Sequence, residues 1–366
     1  MTQSSPYPIP AGLSPIPEEQ LDLRPDAEVD HDLLHPKPVS DEKNVWLFWD
    51  TGLGRASARP PAGLPLNVAS FLDVADPTVF PRAFRDGTLA GAYGAQHTSD
   101  LVRWPLLLRH GGVYVDVGLM PIGDLDRLWC ETVGNDASPA RGPDVRHGRG
   151  HLTNYFLASG RDNPLFLRCH RLLLELWAAD GGKTTTDGMR DSPLLRGPAE
   201  VSDMLADYII QGQAALLVMG LVDDEDGWDG PRYVHEHVWA SEFMESSQLV
   251  NQFTAWDGPK AFELMSLPLP REGEAESDGQ RQAREIVEGC LQRSFVFKLA
   301  HGIIIRVRGP TLGSLWRANE GSDDVPGTYA HWLRYGMLHW EQESLPERCG
   351  FNLDKPFKRG PLLRET

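Results

Sequence analysis

The stretch TSDLVRWPLLLRHGGVYVDVGLMPIGDLD, residues 98–126, contains the signals that decide the fold. Its first part has apolar residues at helical spacing behind Ser99, a residue type that can cap a helix N-terminus. Gly111 and Gly112 follow, and glycine tolerates the positive φ angles at which helices often end. The next run, Val-Tyr-Val, is β-branched and aromatic, and it predicts a short buried strand that ends at Asp116. The stretch therefore predicts a helix, a sharp turn and a buried strand of an α/β fold.

Three charged residues stand out in this stretch. Asp100 and Arg103 lie about one turn apart on a helix whose other residues are apolar. An ordinary surface ion pair is the simpler interpretation, but buried charges persist only when they are paired or functional. Asp116 follows a strand, at the end where open α/β sheets bind ligands. We predict Asp100, Arg103 and Asp116 as the catalytic residues, with Asp116 binding hydroxyls or an amine, or acting as a general base.

Length and composition are those of a globular protein. The 366 residues, 41% apolar and 24% charged, suffice for one large α/β domain or two modest ones. A net charge of −17 argues against a broad nucleic-acid surface, so no DNA partner is expected. The four cysteines are widely spaced, as in a reducing compartment, and no signal peptide or long apolar segment is present. We expect a cytoplasmic protein without a membrane partner; the oligomeric state is left open.

The chain divides by composition into an arm and a body. Residues 1–40 are rich in Pro, Asp and Glu, and they predict an extended or disordered N-terminal arm. Residues 41–366 show no internal repeat or linker, and we predict a single catalytic domain with an α+β C-terminal extension from about residue 230. Residues 52–66 carry no helix or strand signal, which leaves a short loop and a missing segment as alternatives.

Further binding residues are predicted at strand ends and among the tryptophans. A first strong strand, NVWLFW, runs into a polar turn where a planar group could bind. The acidic cluster DDED would suit a guanidinium or ammonium group, although such runs are more often solvated loops. Histidines and cysteines lack the spacing of metal ligands, so no metal site is predicted. The predicted substrate-binding residues are Trp49, Asp50, Asn154, Asp223, Asp224 and Trp316.

The pattern Ser-Asp-x-x-Arg, an apolar helix, Gly-Gly-x-Tyr-x-Asp and a downstream Pro resembles the sugar-binding region of GT-A glycosyltransferases with a DXD motif. Within that class, the pattern most resembles the capsular-polysaccharide and mannosyltransferase-like families. This resemblance implies an α/β fold with a GT-A-like (Rossmann-like) mixed sheet flanked by helices. It also implies an enzyme that uses a nucleotide sugar with Mn or Mg. In such families the stretch at Asp50 contacts the nucleotide base, and an Asn like Asn154 faces the acceptor side.

One position departs from that family pattern. The expected Asp-x-Asp reads Asp116-Val117-Gly118 here, so the acid that would ligate the divalent metal is missing. One carboxylate rarely holds Mg²⁺ or Mn²⁺ without substrate phosphates, because these ions need several oxygen ligands. Asp124 and Asp126 are close in sequence and could substitute, but they more simply cap the next turn.

The chain also resembles fungal arginine-containing cyclodipeptide synthases, through VWLFWDTG, LTNYFLASGRDNPLF, DDVPGTYAHWLRYGM and the opening stretch. That resemblance implies condensation of arginyl-tRNA with a second aminoacyl-tRNA into a cyclo-arginyl-Xaa diketopiperazine, with no cofactor. Gly118 is compatible with such metal-free chemistry, whereas the acidic charge counts against tRNA binding. We predict a cyclodipeptide synthase of secondary metabolism. A GT-A glycosyltransferase is the alternative, and an inactive homologue is the second alternative if a segment near 52–66 is missing.

Overall fold

The computed structural model describes residues 5–35, 38–48, 66–116, 118–134, 145–146, 151–195, 207–300, 302–351, 353 and 355–363. Its helices are α1 (Asp26–Leu34), α2 (Leu66–Ala69), α3 (Arg82–Arg85), α4 (Gly94–His110), α5 (Leu125–Leu128), α6 (Pro164–Ala178), α7 (Ile210–Met219), α8 (Gly230–His237), α9 (Leu249–Thr254), α10 (Gly258–Ser266), α11 (Asp278–Arg293), α12 (Ile303–Arg308), α13 (Leu312–Ala318) and α14 (Tyr329–His339).

The strands are short and pair into small sheets. They are β1 (Leu13–Pro15), β2 (Val45–Phe48), β3 (Gly112–Asp116), β4 (Leu119–Pro121), β5 (Val145–Arg146), β6 (His151–Leu152), β7 (Phe156–Ser159), β8 (Leu221–Asp223), β9 (Trp228–Asp229), β10 (Val296–Lys298), β11 (Trp340–Gln342) and β12 (Lys358–Arg359). Parallel and antiparallel pairs both occur, in the orders β2-β3-β7 and β12-β8-β9 and in three two-stranded pairs. The predicted α/β class is confirmed, with mixed sheets and helices.

The chain contacts separate into two compact units. The first, which we call the sheet unit, comprises Asp30–Val117, Trp129–Ala240 and Cys349–Thr366. The second, which we call the helical unit, comprises Met1–Val29, Gly118–Leu128 and Ser241–Arg348. Each unit has its own cluster of buried apolar side chains. The single catalytic domain over residues 41–366 stays a prediction.

The β2-β3-β7 sheet lies at the centre of the sheet unit. β3 runs parallel to β2 and antiparallel to β7, so it is the middle strand, and its first four residues are buried. In this register Phe48 at the end of β2 pairs with Asp116 at the end of β3. Helix α4 packs on β3, β7 and α6, and α6 packs on α7. The Asn163 side chain caps α6 by accepting from the backbone N–H groups of Leu165 and Phe166, so the helix starts where Asn-Pro predicts.

The helical unit consists mainly of α9–α14 around its own apolar cluster. Within the predicted N-terminal arm, β1 pairs antiparallel with β11, and Tyr7 and Leu13 are buried in this cluster. Asp124 accepts hydrogen bonds from the backbone N–H groups of Asp126 and Arg127, which confirms the predicted capping of this turn by Asp124. Asp126 itself lies inside α5.

The β-branched run HGIIIRV predicts a buried strand, and that expectation is wrong. Ile303–Arg308 form helix α12, in which Ile303 is buried and Val307 is 40% exposed. Gly302 and Gly309 bound the helix at φ angles of 62° and 86°, so the chain turns at both ends instead of extending. Strand propensity is context-dependent and yields here to these turns. No helix in the described ranges combines the length and apolarity needed to cross a bilayer.

Candidate active site at the end of strand β3

Helix α4 begins earlier than its sequence suggests. It starts at Gly94, so Ser99 lies inside the helix and does not cap it, which corrects that expectation. The Ser99 hydroxyl instead bonds the Tyr114 hydroxyl on β3 (2.7 Å) and accepts from Arg103 Nη2 (2.8 Å). The helix end follows the prediction, with Gly111 and Gly112 at φ angles of 67° and 111°. Ser99 therefore joins α4 to the central strand.

Gly112 allows β2 and β3 to pair closely. A Cβ atom at this position would lie 2.5 Å from the Asn44 carbonyl oxygen and 2.8 Å from Trp46 Nε1. That indole donates a hydrogen bond of 2.7 Å to the Gly111 carbonyl. A residue without a side chain is needed here because the neighbouring backbone occupies that space. The turn fixes where β3 starts, and therefore where Asp116 lies at its other end.

Arg103 is buried between two carboxylates. Its side chain is 3% exposed, and Nη2 lies 3.1 Å from Asp100 Oδ1 and 3.4 Å from Asp116 Oδ1. Nη1 donates to the Asn154 carbonyl, and the guanidinium carbon lies 5.0 Å from the centre of the Tyr114 ring. The Nε atom is buried and makes no hydrogen bond in the described part of the chain. The structure thus brings Asp100, Arg103, Asp116 and Asn154 together.

Asp100 is also held by side chains other than Arg103. Its Oδ1 accepts from Asn154 Nδ2 (3.0 Å), and its Oδ2 lies 3.2 Å from His97 Nδ1. The other nitrogen of His97 pairs with the Thr186 hydroxyl at 3.0 Å. Gln211 on α7 donates to the Asp100 backbone carbonyl (2.6 Å) and accepts from Asn154 Nδ2 (3.0 Å). The position of Asp100 is therefore set by α4, by α7 and by Asn154, which precedes β7.

The electrostatics of the cluster follow from its burial. Burial by itself disfavours the charged guanidinium, but the charges of Asp116 and Asp100 outweigh it and raise the pKa of Arg103 above its ordinary value. Burial also raises the pKa of the Tyr114 and Tyr208 phenols, and the two carboxylates add to the shift at Tyr208.

Asp116 is the member of the cluster best placed to meet a ligand. Its side chain is 21% exposed, compared with 12% for Asp100 and 3% for Arg103. Its backbone N–H is bonded to the Tyr155 carbonyl, so the strand end that carries it is fixed. A carboxylate accepts hydrogen bonds only, which suits the hydroxyl groups of a ligand.

The described carboxylates at the end of β3 do not match a two-acid metal site. Asp100 is already engaged with His97, Asn154 and Arg103, and the second acid of the family pattern is Gly118. Among the described residues no group of three acids, histidines or cysteines is arranged to hold a metal ion. A divalent ion requires several oxygen ligands, and the other carboxylate of this donor set, Asp116, lies 3.4 Å from Arg103 Nη2.

The other predicted binding residues are placed as follows. Asp223 ends β8 and is buried, and its carboxylate accepts from the Glu225 backbone N–H, as in a turn; Asp224 is exposed. Trp316 is 5% exposed in the apolar cluster of the helical unit, and its role in binding stays a prediction. Trp49, Asp50 and the stretch 51–65 lie outside the described residues, and the interpretations placed on them stay predictions.

Sequence reasoning missed His97, Gln211 and Tyr208, which the structure places around Asp100. His97 precedes Asp100 by three residues, so the two share one face of α4. The sequence would have indicated this pair if the helix had been predicted to start at Gly94. Gln211 contacts Asp100 across 111 positions of sequence, and no local pattern indicates such a contact.

Comparison with known proteins gives consistent results along nearly the whole chain. O-glycosyltransferase braB of Annulohypoxylon truncatum is 28% identical over 99% of this chain and 95% of its own length. Glycosyltransferase afumC of Aspergillus fumigatus is 31% identical over 87% of this chain and 90% of its own length. O-glycosyltransferase PaGT of Phomopsis amygdali is 27% identical over 91% of both chains. No protein-family model matches, and no solved structure matches significantly.

These relatives are all named glycosyltransferases, and the mixed α/β fold is compatible with that class of protein. The chain belongs to the family of fungal glycosyltransferases that includes afumC. The prediction of an arginine-containing cyclodipeptide synthase is therefore wrong, and so are its arginyl-tRNA and second aminoacyl-tRNA partners, because the relatives over most of the chain are glycosyltransferases. The error came from the resemblance to those synthases and from taking Gly118 as a sign of metal-free chemistry.

Proposed function

We propose that the protein transfers a sugar from a nucleotide-sugar donor to a hydroxyl group of an acceptor. Family membership supports sugar transfer, and two of the relatives are named O-glycosyltransferases. The observation that carries the proposal for this chain is the buried cluster of Asp100, Arg103 and Asp116 at the end of β3. Such a cluster offers fixed hydrogen-bond acceptors to a polyhydroxylated ligand.

Asp116 contacts the donor sugar in this proposal. Its partly exposed carboxylate accepts hydrogen bonds from sugar hydroxyls, and its place at the strand end agrees with ligand binding in α/β sheets. Asp100 and Arg103 act as positioning residues, because their polar atoms are largely engaged with one another, His97 and Asn154. Rigid support of this kind keeps the ligand-binding carboxylate in one geometry.

The transfer itself is a substitution at the anomeric carbon. The acceptor oxygen forms a bond to that carbon while the bond from the carbon to the diphosphate oxygen breaks. The diphosphate leaves with the bonding electron pair, and the acceptor proton is released to solvent in the net reaction. No step is assigned to Mn or Mg, since the donor set does not match a two-acid metal site.

The full-length chain can be tested with a panel of UDP- and GDP-sugars. We expect saturable binding of one nucleotide sugar by calorimetry, and release of UDP or GDP when an alcohol acceptor is present. Parallel assays with EDTA and with MnCl2 test the metal expectation. Absence of binding and of nucleotide release across the panel, under both conditions, would overturn the proposal. Matched assays with Asp116→Asn and with Glu288→Gln, a change in the helical unit, assign the activity to this site.

A further inference from the structure

A buried threonine lies at the end of a row of hydrogen bonds behind Asp100. Thr186 is 5% exposed, and its hydroxyl lies 3.0 Å from Nε2 of His97. His97 is 4% exposed, and its Nδ1 lies 3.2 Å from Oδ2 of Asp100. Thr186 and Asp100 therefore pair with the two nitrogens of one buried imidazole ring, which connects the threonine to the charged cluster.

The backbone around Thr186 is held on both sides. The Thr184 carbonyl accepts from the Ala90 backbone N–H (2.8 Å), and the Thr186 carbonyl accepts from the Met189 backbone N–H (3.0 Å). Met189 is 1% exposed and packs in the apolar cluster of the sheet unit. Thr186 therefore presents its hydroxyl to His97 from a fixed backbone position.

The two partners of the His97 ring determine which nitrogen carries its proton. The Asp100 carboxylate can only accept, so Nδ1 has to be the donor in that contact. A ring with its one proton on Nδ1 has a lone pair on Nε2, and the Thr186 hydroxyl is a donor for that lone pair. Removing the hydroxyl would leave a buried acceptor without this partner, which is costlier than losing an exposed hydrogen bond.

Asp100 in turn affects where the guanidinium of Arg103 lies. Arg103 Nη2 lies 3.1 Å from Asp100 Oδ1 and 3.4 Å from Asp116 Oδ1. Because the guanidinium is a rigid plane, a rotation of Asp100 would also change the geometry at Asp116. Asn154 holds Oδ1 of Asp100 and His97 holds Oδ2, so the contact with His97 opposes such a rotation.

We propose that Thr186 is a positioning residue of the nucleotide-sugar site, because its hydroxyl keeps the His97 proton on Nδ1. In that form His97 holds Asp100 and, through it, Arg103. These two residues keep Asp116 in the geometry that binds the sugar. This role rests on the proposed function, in which Asp116 contacts the donor sugar. The effect of Thr186 on binding passes through the His97 ring.

Nucleotide-sugar binding to variants of the full chain tests this role. The UDP- or GDP-sugar that the wild type binds is titrated by calorimetry. Thr186→Val, which keeps the shape of the side chain without its hydroxyl, should raise the Kd ~5-fold. Thr186→Ser restores the hydroxyl and should change the Kd less than about twofold. Thr185→Val is the matched control, because the Thr185 hydroxyl bonds Asp187 in the same loop, and it should leave the Kd unchanged.

Two further measurements separate positioning through His97 from a general loss of structure. The amide of His97→Asn can take the place of Nδ1 but is too short to replace Nε2. In that background Thr186→Val should cause no further change in Kd, because residues that act as one unit are not additive. Nitrogen-15 NMR of the wild type should show the His97 proton on Nδ1, with the signal assigned by its absence in His97→Asn. The Nε2 signal should shift in Thr186→Val and not in Thr185→Val.

The outcomes distinguish the role of Thr186 from the proposed function. If the wild type binds a nucleotide sugar, an unchanged Kd in Thr186→Val or an equal loss in Thr185→Val would overturn the role of Thr186 alone. Additive losses in the double variant would do the same, as would a His97 proton on Nε2 or protons on both nitrogens. If the wild type binds no nucleotide sugar, the proposed function is overturned, and the role of Thr186 in donor binding with it.

Discussion

Arg103 in the sheet unit and Arg284 in the helical unit each lie between two carboxylates. Arg284 pairs with Glu276 at 3.0 Å and with Glu288 at 3.1 Å, distances much like those around Arg103. The difference is water: the Arg284 side chain is 35% exposed and that of Arg103 is 3% exposed. Solvated ion pairs contribute little, whereas breaking a buried pair leaves a charge without compensation. Similar charge arrangements thus indicate a site in one unit and an ordinary surface in the other.

Removing the arginine should separate the two clusters most strongly. Arg103→Met leaves Asp100 and Asp116 without their cation, and we expect a loss of about 3–5 kcal/mol in the free energy of unfolding. Arg284→Met should cost only about 0–1 kcal/mol, because water solvates Glu276 and Glu288. Urea denaturation of both variants measures the contrast. Equal losses would mean that burial does not distinguish the clusters.

A buried histidine of the sheet unit should make the free energy of unfolding depend on pH. Burial lowers the pKa of His170 to about 4, against an opposing effect of the Thr78 and Val79 backbone. The unfolded chain, with an ordinary pKa of about 6.5, binds the proton more readily, so stability falls as the pH drops from about 6.5 to 4. The loss approaches about 1.4 kcal/mol per pH unit, on the order of 3 kcal/mol in total.

His170→Phe should remove that part of the pH dependence. The exposed His235, changed to Gln, is the control and should keep the wild-type slope. Urea midpoints between pH 4 and 7 provide the measurement. If His170→Phe and wild type lose stability in parallel on acidification, burial of this histidine is not the cause.

The proposed ligand contact should have a smaller and more specific effect. Asp116→Asn keeps the shape of the side chain but removes its charge, and we expect about 10- to 100-fold weaker nucleotide-sugar binding, as for a lost charge-assisted hydrogen bond. The same change at the solvated cluster, Glu288→Gln, should leave binding unchanged. Calorimetry on both variants decides the matter, and undiminished affinity in Asp116→Asn would remove Asp116 from the site.

The smallest effect is expected for salt on the stability that the exposed Arg284 cluster contributes. Glu276→Gln should cost less than about 1 kcal/mol, and that cost should shrink in about 1 M NaCl, where exposed charges are screened. The stability contributed by Arg103 should change little with salt, because its partners are buried. A cost of Glu276→Gln that is unaffected by salt would point to packing and not to charge.

Local patterns predicted the elements that carry the cluster better than its surroundings. Strand β3 and the glycine turn follow from residues 111–116, because β-branched residues and glycines act on their own backbone. The early start of α4 and the helix at Ile303–Arg308 depend on contacts and turns outside the local pattern. Gln211 and Tyr208 reach the cluster only through tertiary packing. Sequence therefore indicated the charged residues but not the side chains that hold them.

Gly112 limits which substitutions this protein can accept during evolution. Most surface positions can be exchanged at small cost, but a side chain at 112 would collide with the Asn44 carbonyl and the Trp46 indole. A mutation there would displace the strand whose far end carries Asp116, four residues away. Residues around the cluster can therefore change more freely than this turn. We expect related proteins with altered specificity to differ around the cluster and to retain glycine at position 112.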